Sequence, residues 1–428
     1  MLIDIENHLL NNPISNKFED EELLKNTQKK IHSYLQDMNH DKHKFAFILS
    51  YIPLSNFSAF KMVILSVVKK ILLASKQNEI LIIMTGSYKN KKFVEPNELK
   101  MTDKESIYLL KSYFTFEEIL RLSIIKIKNY NNEKPISYAY SKAIEIIKES
   151  NIGTLLLARD NIRTLYLDAL LFQSFPIIDI PFNRENLLSS YSDGVLTHFD
   201  LKFKGNKYIY KCIYNLVLNK YEINYEHYNK LFKSKPSNKI KLISVIGSNR
   251  IARALEKLDK RLLNKLLNLI ISNKLVSWTI VGNSNVSDYL NINPLLDKCI
   301  LNNIIEIKGS IQNIQEYISR FDIYIQPPTL SGGGRVAGVN ASLAKMPVVL
   351  FNKADCEARL PLLKKAPNFE DGIILLEELL NNPDLIEIKG MENYKHLLTQ
   401  TNLNDTLFND FLSKIFINKH EKFKESLK

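Results

Sequence analysis

Between residues 240 and 351 five short, largely apolar runs follow one another: KLISVIG, VSWTIVG, NNIIEIKG, FDIYIQ and MPVVLF. Runs of this length and apolarity are expected of strands covered on both faces rather than on one. Segments of helical period lie among them, namely ALEKLDKRLLNKLLNLIIS, IQNIQEYISR and VAGVNASLAK. Strand and helix in alternation predict a parallel, doubly wound α/β sheet.

The first half repeats the theme less regularly. FAFILSYIP reads as a strand, LSNFSAF as a turn, KMVILSVVKKILLASKQ as a helix and EILIIMTGS as a strand, which together make a βαβ unit. Helices are expected at Thr102 to Tyr113, Phe116 to Asn129 and Ser137 to Ser150, ahead of the strand-like runs GTLLLAR, FPIIDIP and DGVLTHF. A chain of 428 residues exceeds what one hydrophobic core organises, so two domains are expected. The basic stretch Asn229 to Lys239 reads as the linker between them. The division predicted is a helical N-terminal extension over 1–43, domains over 44–235 and 236–400, and a C-terminal helix over 401–428 that is free to cross back to the first domain. Amphipathic positions such as Leu24, Ile31 and Leu35 favour packing of the N-terminal helix on the first domain over a partner-docking arm.

Composition narrows the class without naming it. With 45% hydrophobic and 24% charged residues, and only 13 glycines and 14 prolines, the chain reads as globular. The apolar stretch Phe45 to Ser75 is broken by Pro53, Lys61, Lys69 and Lys70, and falls short of a bilayer span. Cys212, Cys299 and Cys356 are isolated, which argues against a disulfide framework or a cysteine zinc site. The N-terminus has acidic residues where a secretory signal has a basic region, so the expected location is cytoplasmic, with peripheral association at the inner face of the membrane left open. The formal charge of +12 is compatible with nucleic acid, anionic membrane or phosphorylated ligands. No helix-turn-helix, zinc-finger or RNA-binding signature supports the first of these.

The segment FDIYIQPPTLSGGGRVAGVNASLAKMPVVLF, 321 to 351, carries the most chemistry. A strand ends at Gln326, Pro327 and Pro328 stop the ladder, and Ser331, Gly332, Gly333, Gly334 and Arg335 lead into a helix. Glycines let backbone N–H groups approach an anion, and a helix N-terminus adds about half a positive charge. Arg335 would add a charge-assisted contact, so a phosphate is the expected guest. A glycine turn that only reverses the chain is the alternative. HExxH, GxSxG, GxxxxGK[ST] and EF-hand patterns are absent, and no DxD-type metal motif stands in a fitting place, so no bound metal or resident cofactor is expected.

Residues 240 to 351 resemble the C-terminal domain of GT-B glycosyltransferases, in particular family 4. There an aspartate-led strand, a proline, a glycine loop, a helix with a small-residue end and a PVV strand recur in this order. Their counterparts here are Phe321 to Ile325, Pro327 and Pro328, Gly332 to Gly334, Asn340 to Met346 and Pro347 to Val349. The resemblance implies two Rossmann-like doubly wound domains facing a central cleft. It also implies a nucleoside diphosphate sugar, a UDP-sugar first of all, as co-substrate for hexosyl transfer. The family's two glutamates are missing, because Gly332 and Asn340 stand at those positions. Asn340 retains a hydrogen-bonding group for a ribose. At the first strand of the same domain Gly247, Ser248, Asn249 and Arg250 match the small-residue turn and the basic residue that meets the donor diphosphate.

Further strand ends, Gly282 with Asn283 and Lys308 with Gly309, would sit on the same rim and face the base and ribose. On the acceptor side the loop Ser55, Asn56 and Phe57 is the candidate, with capping of the next helix as its other reading. Inversion at the sugar needs a base, and His198 is considered first, then Asp160, Asp179 and Asp200. The resemblance implies transfer to a bacterial surface glycan, a lipid-linked sugar or a protein. Two rivals share the scaffold: a nucleotide-sugar epimerase and a catalytically idle subunit that binds a partner protein.

Overall fold

The computed structural model describes residues 21–49, 52, 59–85, 87–89, 92–94, 113–127, 136–159, 165–181, 191–197, 208–211, 239–246, 250–273, 275–282, 284–311, 314–326, 335–351, 368–400 and 405–426. Two compact units emerge, Met1–Tyr221 with Asn402–Lys428, and Glu222–Thr401.

The first unit is built on seven parallel strands. β1 (Asp41–Leu49) pairs with β2 (Glu79–Met84) on one side. Beyond the small antiparallel hairpin of β3 (Ser87–Lys89) and β4 (Lys92–Val94) come β5 (Leu122–Lys126), β6 (Ile152–Arg159), β7 (Ile177–Pro181), β8 (Gly194–Thr197) and β9 (Tyr208–Lys211). The sheet order is β5-β2-β1-β6-β7-β8-β9. Alternate residues of β1 serve opposite faces: Phe45, Phe47 and Leu49 join one apolar cluster, Ala46 and Ile48 the other. Because both faces are buried, the strand reads as a continuous apolar run.

Among the described residues, five helices of this unit precede the second one: α1 (Glu21–Leu35), α2 (Ala59–Ala74), α3 (Phe116–Leu120), α4 (Ile136–Glu149) and α5 (Leu165–Leu171). Leu24, Ile31 and Leu35 of α1 are buried in the cluster that α4 and α5 also feed. Gln28 Nε2 donates to the Ala169 carbonyl at 2.7 Å, and His32 Nδ1 lies 3.1 Å from Ser174 Oγ. The N-terminal helix is thus a packed layer of the unit.

One expected helix is replaced. Phe116 to Asn129 was expected to be helical throughout, but α3 stops after five residues and β5 follows. A capping box of Thr115 and Glu118 starts the helix. Past Arg121 the β-branched Ile124 and Ile125 fit a pleated edge better than a helix.

The second unit holds β10 (Ile240–Val245), β11 (Val276–Val281), β12 (Ile305–Lys308), β13 (Ile323–Gln326) and β14 (Val348–Leu350). All pair in parallel, in the order β12-β11-β10-β13-β14. Its helices are α6 (Arg250–Lys257), α7 (Lys260–Ser272), α8 (Pro294–Leu301), α9 (Ile314–Ile318), α10 (Arg335–Leu343), α11 (Phe369–Asn381) and α12 (Asp384–Gln400). The single helix expected from Ala254 to Ser272 is two, because Asp259 caps a new one by accepting from Arg261 N at 2.7 Å. Trp278, fully buried, anchors the core beside Leu242, Ile280 and Leu296.

The last helix, α13 (Asp405–Ser426), belongs to the first unit. Phe408, Phe411, Leu412 and Ile415 form one stripe and join the cluster that α2 feeds. Phe408 packs on Tyr210 with ring centroids 4.9 Å apart, and Asn409 Nδ2 donates to the Ala74 carbonyl at 2.6 Å.

Charge is also taken inside. Lys69 Nζ and Glu118 Oε2 are 2.8 Å apart, with side chains only 2% and 6% exposed. The ammonium also donates to the Tyr113 carbonyl at 2.9 Å, and the carboxylate accepts from Thr115 N at 2.8 Å. Removing one member of such a pair leaves a buried charge, so Glu118→Ala is expected to cost about 3–5 kcal/mol in urea denaturation. A loss below about 1 kcal/mol, as for a surface pair, would overturn this assignment.

Burial holds the His32 imidazole below its ordinary value. As pH falls the unfolded chain therefore binds the proton first, so this contribution is complete above roughly pH 6.5 and is lost below it. His32→Gln should flatten the fall of unfolding free energy on the acid side. An unchanged slope would show that other groups set it.

Candidate functional site

In the second unit β10 and β13 are adjacent, and the strand order reverses between them. Ligands of open α/β sheets bind beyond the carboxyl ends of the strands at such a switch point. Two helices begin just past those ends. β10 finishes at Val245 and α6 starts at Arg250; β13 finishes at Gln326 and α10 starts at Arg335.

The floor of this point is polar and buried. Trp278 Nε1 donates to Ser244 Oγ at 2.9 Å, and Ser244 Oγ donates to the Ile325 carbonyl at 2.8 Å. Tyr324 Oη lies 3.2 Å from the Val245 carbonyl oxygen and 2.9 Å from Gln326 Oε1. Tyr324, Gln326, Ser244 and Trp278 are all fully buried. These residues were not singled out from the sequence. The available signal was a glutamine closing an otherwise apolar strand.

The remaining rim is mixed. Gly282 is buried after β11, and its N–H donates to the Lys308 carbonyl at 3.1 Å. Lys308 Nζ sits 2.9 Å from Glu306 Oε1, and that carboxylate, with Tyr317 next in effect, raises the lysine's pKa. Burial first of all raises the Tyr317 phenol. Gly309 is exposed and a side chain there would meet open space. Nearby Ser284 Oγ and Tyr289 Oη are 3.2 Å apart, and burial raises the phenol's pKa.

Asn340 lies in α10 with 1% exposure, enclosed within the unit. Arg250 and Arg335 are each the first residue of their helix. Gly247, Ser248, Asn249, Asn283, Ser331, Gly332, Gly333 and Gly334 lie outside the described residues, as do Ser55, Asn56, Phe57 and His198. So do Asp160 and Asp200, whereas Asp179 is fully buried in β7. Among the described residues no group of three or more His, Cys, Asp or Glu side chains could hold a metal ion. No described helix is long and apolar enough to cross a membrane.

Solved structures give this layout a context. No family model matches the sequence, and no curated protein matches it either. A glycosyltransferase from Rickettsia africae ESF-5 is similar with TM-score 0.53 at 15% identity, over 91% of this chain and 100% of that one. Anabaena HepE in complex with UDP gives TM-score 0.57 at 10% identity, over 87% of this chain and 100% of that one. A mutant of the Thermobaculum terrenum O-GlcNAc transferase gives 0.52 at 10%, over 94% and 74%.

The chain has the GT-B fold.

At 10–15% identity this likeness is one of architecture, and it bears out the expected pair of Rossmann-like units. Within the GT-B fold of this chain, α10 is held from its far end. Met346 N donates to the Ala341 carbonyl and Lys345 N to the Ser342 carbonyl, both at 3.0 Å, while Lys345 takes φ 57°. This is a Schellman closure with lysine where glycine is usual. α12 crosses there: Asn393 Nδ2 donates to the Met346 carbonyl at 3.2 Å, and a Cβ on Gly390 would lie 1.9 Å from the Lys345 carbonyl oxygen. Gly390→Ala is therefore expected to push α12 away from α10 and to cost about 1–3 kcal/mol or more in chemical denaturation. Unchanged stability would mean that the two helices are not in contact at this point.

Proposed function

We propose that the chain is a glycosyltransferase that moves a hexosyl group from a nucleoside diphosphate sugar, a UDP-sugar first of all, to a glycan, lipid-linked or protein acceptor of the bacterial surface. The observation that carries this reading is the start of α6 and α10, each with an arginine, beside the carboxyl ends of the two strands that flank the switch point. Helix N-termini and guanidinium groups together favour a diphosphate. That HepE was solved with UDP supports the choice of nucleotide.

In this reading Ser331, Gly332, Gly333 and Gly334 present backbone amides to the diphosphate, with Arg335, Arg250 and the turn Gly247, Ser248 and Asn249 around it. Charge grows on the departing diphosphate during transfer, and fixed donors and cations stabilise it without reorganising. Gly282, Asn283, Lys308 and Gly309 serve the base and ribose. Lys308 does so with part of its charge already met by Glu306. Asn340 serves the ribose only where its present cover gives way. Ser55, Asn56 and Phe57 face the acceptor, and His198 is the base that an inverting transfer requires. The proposed place of work is the cytoplasm, at the inner face of the membrane where the acceptor is lipid-linked.

A panel of UDP, GDP and ADP tested by thermal unfolding of the full chain checks the donor site. UDP at a hundredfold excess over its Kd should add about 2.7 kcal/mol to the folded state. Gly333→Val and Arg335→Ala should abolish the gain. No shift with any nucleotide would overturn the proposal.

The absence of glutamates at Gly332 and Asn340 favours a second reading, a catalytically idle GT-B-like subunit that binds a partner protein. UDP binding with no consumption of any UDP-sugar, with or without acceptor, would select it.

A further inference from the structure

The paired register of β10 with β13 runs over Leu242↔Ile323 and Ile243↔Tyr324. Each strand continues two residues further, to Val245 and Gln326. Over that last stretch side chains bridge them. Ser244 Oγ donates to the Ile325 carbonyl at 2.8 Å, while Tyr324 Oη stands 3.2 Å from the Val245 carbonyl oxygen and 2.9 Å from Gln326 Oε1. The tyrosine hydroxyl, with a single proton to donate, stands within hydrogen-bond distance of both groups.

This bridge sits where the chain leaves the sheet twice. Val245 is the last residue of β10, two positions before Gly247 in the sequence, and Gln326 is the last of β13, directly before Pro327, Pro328 and the glycine run in the sequence. A polar group buried this deeply costs free energy unless it is satisfied, and an apolar pair of the same size would fill the space without that risk. A buried polar network that is fully satisfied rigidifies the elements it joins, here the two strand ends.

We propose that Tyr324 and Gln326 are positioning residues for the donor diphosphate, setting the spacing between the points from which both phosphate-facing segments depart. The inference rests on the donor site argued above. It assigns these two side chains no contact with the nucleotide. Their effect passes through the strand ends, and small misplacements of binding groups are costly where several must converge on one anion.

The test compares UDP affinity with stability in the full chain, by titration calorimetry and by thermal unfolding without nucleotide. Tyr324→Phe keeps the ring and removes the hydroxyl; Gln326→Leu removes the acceptor and keeps the bulk. Both are expected to weaken UDP binding about tenfold or more, while the folded protein remains the dominant state at the titration temperature. A role confined to stability would lower the unfolding temperature and leave the Kd of the folded protein unchanged, and that result overturns the inference. Should Tyr324→Phe fail to fold, Gln326→Leu provides the same comparison. If the unaltered chain binds no UDP, the donor site and this inference fall together. If it binds and both variants bind equally well, only the inference falls.

Discussion

Parallel pairing of β10 with β13 is the contact on which the second unit depends. Every other strand of that sheet is placed by neighbouring one of these two, directly or through one intermediate. In open α/β sheets ligands are received beyond the carboxyl ends of the strands at the point where the strand order reverses, which here lies between these two strands. The same feature that organises the core therefore determines where an anion would be received. Structure and proposed site share one cause, and a change to the floor of the crevice would be felt in both.

The first unit meets a similar topological demand with different chemistry. Its seven strands need apolar cover on both faces, and α1, α4 and α5 supply one side while α2 and α13 supply part of the other. α13 comes from the far end of the chain, so the cover of one sheet is completed only after the second unit has been traversed. Near α2 the cover includes Lys69, whose charge is tolerated because Glu118, the Tyr113 carbonyl and the helix start at Thr115 surround it. A lysine that interrupts the apolar run Phe45 to Ser75 is thus a buried member of the core of the first unit.

Much of this architecture was legible from residue pattern alone. Buried parallel strands such as EILIIM and VSWTIV are recognisable because they lack the alternation of half-exposed ones. The glycine run stands out for the opposite reason, being rare in a chain with only 13 glycines, but it lies outside the described residues. What escaped were features decided by local competition or distant contact. Ile124 and Ile125 favour a strand only weakly by themselves, and pairing with β2 decides it. Asp259 looks like any polar residue within an amphipathic run until its side chain is seen to cap α7. Tyr324 gains its meaning only from its hydroxyl reaching the Val245 carbonyl oxygen, 79 positions away, and Gln326 from standing beside that same hydroxyl.

The missing glutamates bear on how such a site would work. Carboxylates beside a diphosphate repel it and must be offset by cations or dipoles. With Gly332 and Asn340 in their place, the donor site proposed here would rely on helix termini and arginines without that opposition. Anion binding would gain from this, while the sugar would lose a group that orients its hydroxyls. In the proposed site, affinity for the nucleotide and skill at transfer would be separable, because the residues proposed to meet the phosphates are distinct from those that would handle the sugar. Asn340 makes the same point from inside the fold: a neutral amide can lie buried in α10 at 1% exposure, where an unpaired glutamate would pay a large desolvation cost. A neutral residue at this position therefore suits the packing of α10 as it stands.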